Sequence, residues 1–238
     1  SNGANGILIS ATNAETLVQD INAAVEKGIP VLCFDSDVPK SKRFAYYGTD
    51  DIEAGKMVAK ELAEAMGKKG TVAILAGTQG APNLTKRVDG VKEGLKEFPD
   101  VKLLNVFFHA ENPKDAVAKM EEVQRANPVT GWALVGGWPL NTQNALDKIA
   151  PSAMVVSIDA LRPMLTYSKN GQVQSLLGQK VYEWGSEGVR IMMEKLVDNK
   201  VPSDPIVKAP LTRVTKENAD EYGKNWAKWL GEDAAPAP

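Results

Sequence analysis

Apolar residues along the chain fall into two alternating rhythms. Short continuous apolar runs bounded by Gly, Pro or acidic turns have the pattern of strands buried on both faces, whereas apolar residues three and four apart mark one face of a helix. The clearest run is Ile29-Pro30-Val31-Leu32-Cys33-Phe34, entered through Gly28 and ended by Asp35-Ser36-Asp37. It predicts a central parallel strand with two carboxylates at its carboxyl end. In an open α/β sheet, that edge is where loops and helix N-termini gather around a ligand.

The same rhythms recur along the rest of the chain. Residues 6–10 predict a strand, and Leu17, Ile21, Ala24 and Val25 a helix closed by Gly28. Residues 39–43 (Pro-Lys-Ser-Lys-Arg) read as a charged surface turn and 44–48 as a strand. Asp50 and Glu53 have capping-box spacing before the stripe Ala54, Met57, Val58, Leu62 and Ala65, and Gly67 ends that helix. Strands are then expected over 71–77, 101–109, 131–137, 154–158 and 173–177. Helices are expected on the stripe Leu84, Val88, Val91 and Leu95, from Asn112-Pro113 through Val117, Met120 and Val123, and over 139–149, 161–167 and 181–197. No period of 20–50 residues repeats, so solenoids are excluded. Strand–helix alternation implies parallel sheets with helices on both faces.

Composition narrows the class. The 238 residues, 43% hydrophobic and 24% charged with mean hydropathy −0.24, describe an ordinary globular chain. No apolar run approaches the ~20 residues of a membrane span. The net charge of −2, with no Lys/Arg block, gives no electrostatic footprint for nucleic acid. Cys33, the single cysteine, lies inside an apolar run and reads as a small buried hydrophobe, and His109 is the single histidine, so no Cys/His zinc pattern exists. No metal or cofactor is expected. The chain opens Ser1-Asn2-Gly3 without a leader-like basic and apolar pattern, and residues 231–238, small, acidic and Pro/Ala-rich, read as a frayed tail.

Several polar or aromatic residues fall just past predicted strand ends: Ser10, Asp35, Asp37, Thr78, His109, Trp138 and Asp159. Their convergence on one kind of edge is the case for a site. Against it, Asp35 and Asp37 also suit turn and capping roles, and Trp138 suits core filling. Asn83 and Arg87 stand i,i+4 at a helix start and so share a face near a positive dipole end; the plainer reading is a capping Asn and a solvated Arg.

The motifs Gly28-Ile29-Pro30-Val31-Leu32-Cys33-Phe34-Asp35-Ser36-Asp37 and Tyr47-Gly48-Thr49-Asp50 with Ala54-Gly55 resemble the type I periplasmic sugar-binding proteins, the ribose- and glucose-type receptors of ABC importers. Asn83 and Arg87 before Asp89-Gly90, Val155-Val156-Ser157-Ile158-Asp159, Gly178-Gln179 and Val214-Thr215-Lys216-Glu217-Asn218 follow in family order. The resemblance covers nearly the whole chain. It implies two Rossmann-like α/β lobes, residues 1–48 with 180–209 and residues 49–179 with 210–238, joined by crossings near Gly48-Thr49, Gly178 to Lys180 and Ala209 to Leu211. A monosaccharide would lie in the cleft between the hinged lobes, facing Asp35 and Asp37 from the first and Asn83, Arg87, Trp138 and Asp159 from the second, with Gln179 at the hinge. It further implies a monomeric, non-enzymatic receptor in the periplasm or on the extracytoplasmic face, lipid-anchored in a longer form, that delivers its sugar to an ABC permease.

Two departures follow from that resemblance. Members of the family carry a further strand–helix–strand–helix unit before the segment that begins here at Asn5, which implies an N-terminal truncation or part of a longer molecule. Where the ribose-type pattern has a polar amide, this chain reads Gly136-Gly137-Trp138-Pro139, leaving the sugar open. The rival readings are an Asp-x-Asp phosphatase, which would need a Ser/Thr after a later strand, a Lys and a further acidic pair for Mg²⁺, a metal-dependent glycosyltransferase, which shares only the Asp-x-Asp, and the effector domain of a sugar-responsive regulator, which would need a DNA-binding headpiece.

Overall fold

A computed structural model describes residues 3–150 and 152–231. Ser1, Asn2 and residues 232–238, nearly all of the stretch read as a frayed tail, lie outside the described residues. The chain divides into two compact units, one of residues 1–50, 80–85 and 180–210, the other of residues 51–79, 86–179 and 211–238.

The first unit is built on β1 (Ile7–Ile9), β2 (Val31–Phe34), β3 (Ala45–Thr49) and β9 (Ile206–Ala209), all parallel in the order β1-β2-β3-β9. Val31, Leu32 and Cys33 are fully buried, as a strand covered on both faces requires. The ladder starts at Val31 because Pro30 has no N–H to give, although its carbonyl still accepts from the Ile7 amide at 3.0 Å. Helix α1 (Ala14–Glu26) covers one side, its N-terminus capped by the Asn13 side chain, which accepts from Glu15 and Thr16, and it ends at Gly28 with φ +80°. Helix α6 (Val181–Asp198) packs against β1, β2 and β3 through Ile191 and Met192.

The second unit holds β4 (Gly70–Ala76), β5 (Val101–Phe108), β6 (Gly131–Leu134), β7 (Met154–Ile158), β8 (Ser175–Gly178) and β10 (Thr212–Val214), in the order β10-β8-β7-β6-β4-β5. Five strands are parallel, and β10 departs from the all-parallel expectation by pairing antiparallel with β8. The chain order reverses between β4 and β6, the topological switch point where open α/β sheets form their crevice. Helix α2 (Asp51–Ala65) lies on β6, β7 and β8, and α4 (Pro113–Ala126) starts at the Asn112 cap with Pro113 at its first position. Helix α3 (Pro82–Leu95) has its first turn in the segment grouped with the first unit and its remainder in the second. A short α5 (Leu165–Lys169) packs on α7 (Ala219–Trp229). Periodicity alone does not announce β9, β10 and α7.

Two local expectations need correction. Residues 139–149 do not form an α-helix: a 3-10 turn, Trp138–Asn141, gives way to successive turns, with Asn144 in the left-handed region at φ +59°. The Tyr167 hydroxyl holds this shape by accepting from the Ala145 amide at 3.0 Å and donating to the Thr142 carbonyl. Leu140, Leu146 and Ile149 are buried even so. Arg43, expected in a surface turn, is instead buried on Asp37, whereas Lys40 and Lys42 are exposed.

Glycines set the closest helix contact. A Cβ on Gly55 of α2 would stand 2.1 Å from the Arg87 carbonyl oxygen, and one on Gly90 of α3 2.1 Å from that of Ile52. Gly55→Ala is therefore expected to cost about 2 kcal/mol or more in urea unfolding, despite gaining about 1 kcal/mol of helix propensity. Gly185→Ala in α6, where nothing lies within 4 Å, should be neutral or slightly stabilising. Equal effects at the two positions would contradict the packing assigned to α2 and α3.

Burial, with a smaller push from the Asp37 carboxylate, drives the Cys33 thiol up to about 11 and outweighs the lowering by the Val38 amide and the Arg43 charge. A thiol reagent at about pH 8 should label the native protein slowly and the urea-unfolded protein rapidly at one site, because the thiolate is the reactive form.

Candidate functional site

At the carboxyl edge of the first unit, Ser10 and Asp35 follow β1 and β2, and the Ser10 hydroxyl donates to Asp35 Oδ2 at 2.9 Å. Asp35 sits at φ +57°. Its carbonyl accepts from the Tyr46 hydroxyl at 2.8 Å and its amide donates to the Tyr47 carbonyl at 3.2 Å, so neighbouring strand residues hold the unusual conformation. Gly48 is required there, since a Cβ would meet the Tyr46 hydroxyl at 2.3 Å. Asp37 is engaged differently. Both its oxygens face the Arg43 fork, Nη2 donating to Oδ2 at 2.6 Å, and Oδ1 also accepts from the Val38 amide at 2.7 Å.

In the second unit the carboxyl edge carries, in spatial order, Gln179 after β8, Asp159 after β7, Trp138 beyond β6, Thr78 beyond β4 and His109 after β5. Three of the expected residues form one network with a fourth that sequence reasoning passed over, Asp51. Arg87, 3% exposed, donates from Nε to Asp51 Oδ1 at 2.8 Å, from Nη1 to the Val135 carbonyl at 3.2 Å and from Nη2 to Gln179 Oε1 at 2.8 Å. Gln179 Nε2 then donates to Asp159 Oδ1 at 2.7 Å, while Asp159 Oδ2 accepts from the Gly137 amide at 3.0 Å. A neutral amide thus relays between a cation and an anion, and only one orientation of it serves both. Arg87 is no solvated helix residue. Asp51, as the first residue of α2, also lies at the positive end of the helix dipole.

Asp159, like Asp35, directly follows a strand and has positive φ, here +80°. Beside it, burial, and then the Asp159 charge, push the Tyr222 hydroxyl up to about 12. Trp138 is half-buried, folds over Gly136, whose Cβ would stand 2.1 Å from its ring, and meets the His109 ring edge-on. Thr78 is exposed and donates its amide to Glu111 Oε1 at 2.8 Å. Asn83, half-buried in the first turn of α3, turns its side-chain oxygen to the Leu84 amide at 2.9 Å. Among the described residues, no three His, Cys, Asp or Glu side chains are placed to hold a metal ion. Among them, too, no helix is long and apolar enough to cross a membrane.

Residues 1–200 match the family model described as a periplasmic binding protein domain. The chain belongs to that family. This periplasmic binding protein domain is 24% identical over 222 residues to the xylitol-binding protein of Mycolicibacterium smegmatis, covering 92% of this chain and 63% of that protein. It is 24% identical over 218 residues to the ribose import binding protein of Haemophilus influenzae, covering 85% of this chain and 71% of the relative. Its fold is similar to an ABC transporter solute binding protein of Burkholderia graminis solved with D-arabinose: TM-score 0.83, 30% identity, 90% of this chain and 76% of the other covered. The chain therefore spans less than two thirds of the xylitol-binding protein's length.

Sequence reasoning missed Asp51 and Arg43 because each acts through a partner that spacing does not reveal. For Asp51, its place directly before the Ile52, Gly55 and Val58 face of α2 was the available signal. Arg87→Ala should destabilise by about 3–5 kcal/mol in urea unfolding, since it leaves the Asp51 carboxylate buried without its partner. Replacing both residues by apolar ones of similar volume should cost less than that single change. A loss below ~0.5 kcal/mol for Arg87→Ala would mean that the pair carries nothing.

Proposed function

We propose that this chain is the ligand-binding part of a sugar receptor serving an ABC importer on the extracytoplasmic side of the membrane, and that its ligand is a five-carbon sugar or sugar alcohol. The observation that carries the reading is the Arg87–Gln179–Asp159 network at the carboxyl edge of a sheet in a chain of this family. Asp35, Asp37, Asn83, Arg87, Trp138, Asp159 and Gln179 are the proposed ligand-binding residues. Asp159 accepts one hydrogen bond on each oxygen among the described residues, which leaves one acceptor position on each for two adjacent hydroxyls. Trp138 offers a half-buried ring to the C–H face of a sugar. The relatives named above carry xylitol, ribose and D-arabinose in their descriptions, and all three are five-carbon compounds.

Catalysis forms no part of this reading. The acid that a phosphatase would use as general acid, Asp37, is held by the Arg43 fork, while Asp50 and Asp51 are paired with Lys208 and Arg87. The receptor acts as a monomer toward its permease.

A thermal-shift panel of pentoses, pentitols and hexoses tests the ligand, because saturation at about 100 Kd adds about 2.7 kcal/mol of stability. Stabilisation by a five-carbon compound is expected. A stronger effect from a hexose would overturn the size assignment, and no effect from any sugar would overturn the receptor reading. In calorimetric titration with the best compound, Asp35→Ala and Asp159→Ala should each weaken binding more than tenfold, since hydrogen bonds to charged groups are worth roughly 1.5–3 kcal/mol.

A further inference from the structure

His109 is 9% exposed and directly follows the outer strand β5 of the second unit. Its Nδ1 accepts the Glu111 amide proton at 3.0 Å. A ring nitrogen that accepts carries no proton, so in the neutral imidazole the proton sits on Nε2. Nε2 is buried and has no hydrogen-bond partner among the described residues. The ring it does meet is that of Trp138, with centroids 5.1 Å apart and planes at 73°, an edge-to-face contact of the kind that aromatic pairs favour.

We propose that His109 is a positioning residue for Trp138, a latch that fixes the indole while the imidazole is neutral and releases it on protonation. An added proton can go only to Nδ1. There it points at the Glu111 N–H, so an acceptor–donor pair becomes two opposed donors, and the turn from 109 to 111 has to open. Glu111 is already at φ +54° and its carboxylate takes the Thr78 amide, so the change reaches the loop after β4 as well. The ring moves with its turn, and Trp138 loses the edge that holds it.

Burial lowers the His109 pKa below its ordinary value and outweighs Glu111 and Asp115, the charged groups that act in the opposite direction. The folded value is thus below the unfolded ~6.5, so the neutral latch is fully present above that pH and is lost as pH falls through the folded value. Its consequence for sugar affinity rests on Trp138 being a ligand-binding residue; the latch itself does not.

The test uses the whole chain without sugar, labelled with 5-fluorotryptophan and ring-¹³C histidine. The five tryptophans give separate ¹⁹F signals, with Trp138 assigned through Trp138→Phe. From about pH 8 to about pH 5, the Trp138 signal should move with the midpoint of the single histidine ring, and the movement should vanish in His109→Phe. A Trp138 signal that stays fixed while the histidine titrates, or a midpoint a full unit away, overturns the latch. Co-titration in the unmodified protein decides the matter even where His109→Phe does not fold. With no sugar in the sample, a fixed signal counts against the latch alone, whereas an empty thermal-shift panel counts against the receptor reading alone.

Discussion

A guanidinium buried almost completely must have its donors met inside the protein, and Arg87 imposes that requirement on the whole second unit. Its acceptors include groups at the start of α2, in the chain just after β6 and on the residue that follows β8. Of these, α2 is held against α3 by contact at the glycines. Gly90 of α3 reaches the backbone of α2 at Ile52 and Gly55, and Arg87 and Asp51 lie about one turn away on the same faces. That close approach brings the two side chains within hydrogen-bonding distance, Arg87 Nε lying 2.8 Å from Asp51 Oδ1. Desolvation makes such a pair costly, so its value lies less in stability than in admitting one arrangement of four elements.

Charge and conformation meet again at the two strand-ending acids. Asp tolerates positive φ better than most residues, which keeps the strain at Asp35 and Asp159 modest, though not zero. In each case the neighbouring strand fixes the backbone: Asp35 donates to the Tyr47 carbonyl, and Asp159 donates to the Leu177 carbonyl at 2.9 Å. The turn begins one residue after the ladder, and the carboxylate is aimed by the backbone more than by its own rotamer. The same logic accounts for Gly136 and Gly137, over which the Trp138 ring and the Asp159 side chain lie.

Much of the fold was legible because burial leaves a direct trace in sequence. The run from Val31 to Phe34, the Asn112-Pro113 helix start and the stops at Gly28 and Gly67 need only local physics, and the structure contains each of them. The helix expected over 139–149 shows the limit of periodicity, which reports which residues are buried and not the backbone that buries them. Leu140, Leu146 and Ile149 are buried through turns that a hydroxyl from Tyr167 stabilises, and no local signal predicts that hydroxyl. Arg43 was hidden by its company, since Lys40 and Lys42 beside it are solvated while it alone turns inward. For the candidate site, strand ends indicated where polar groups gather. They did not indicate that Arg87, Gln179 and Asp159 are linked, because that depends on contacts among residues far apart in sequence.

The linkage changes what Asp159 can offer a ligand. A lone carboxylate on a loop would have to lose rotamer freedom on binding, a cost of about 0.5–1.5 kcal/mol for an immobilised side chain. Here that freedom is already lost, since Oδ1 is held by Gln179 and Oδ2 by the Gly137 amide. Both anchors are neutral donors, so they orient the carboxylate without cancelling its charge, and Arg87, which also donates to Asp51, is linked to Asp159 through the Gln179 amide. What remains is an aimed carboxylate with one acceptor position open on each oxygen, the geometry that two adjacent hydroxyl donors of the proposed sugar would meet.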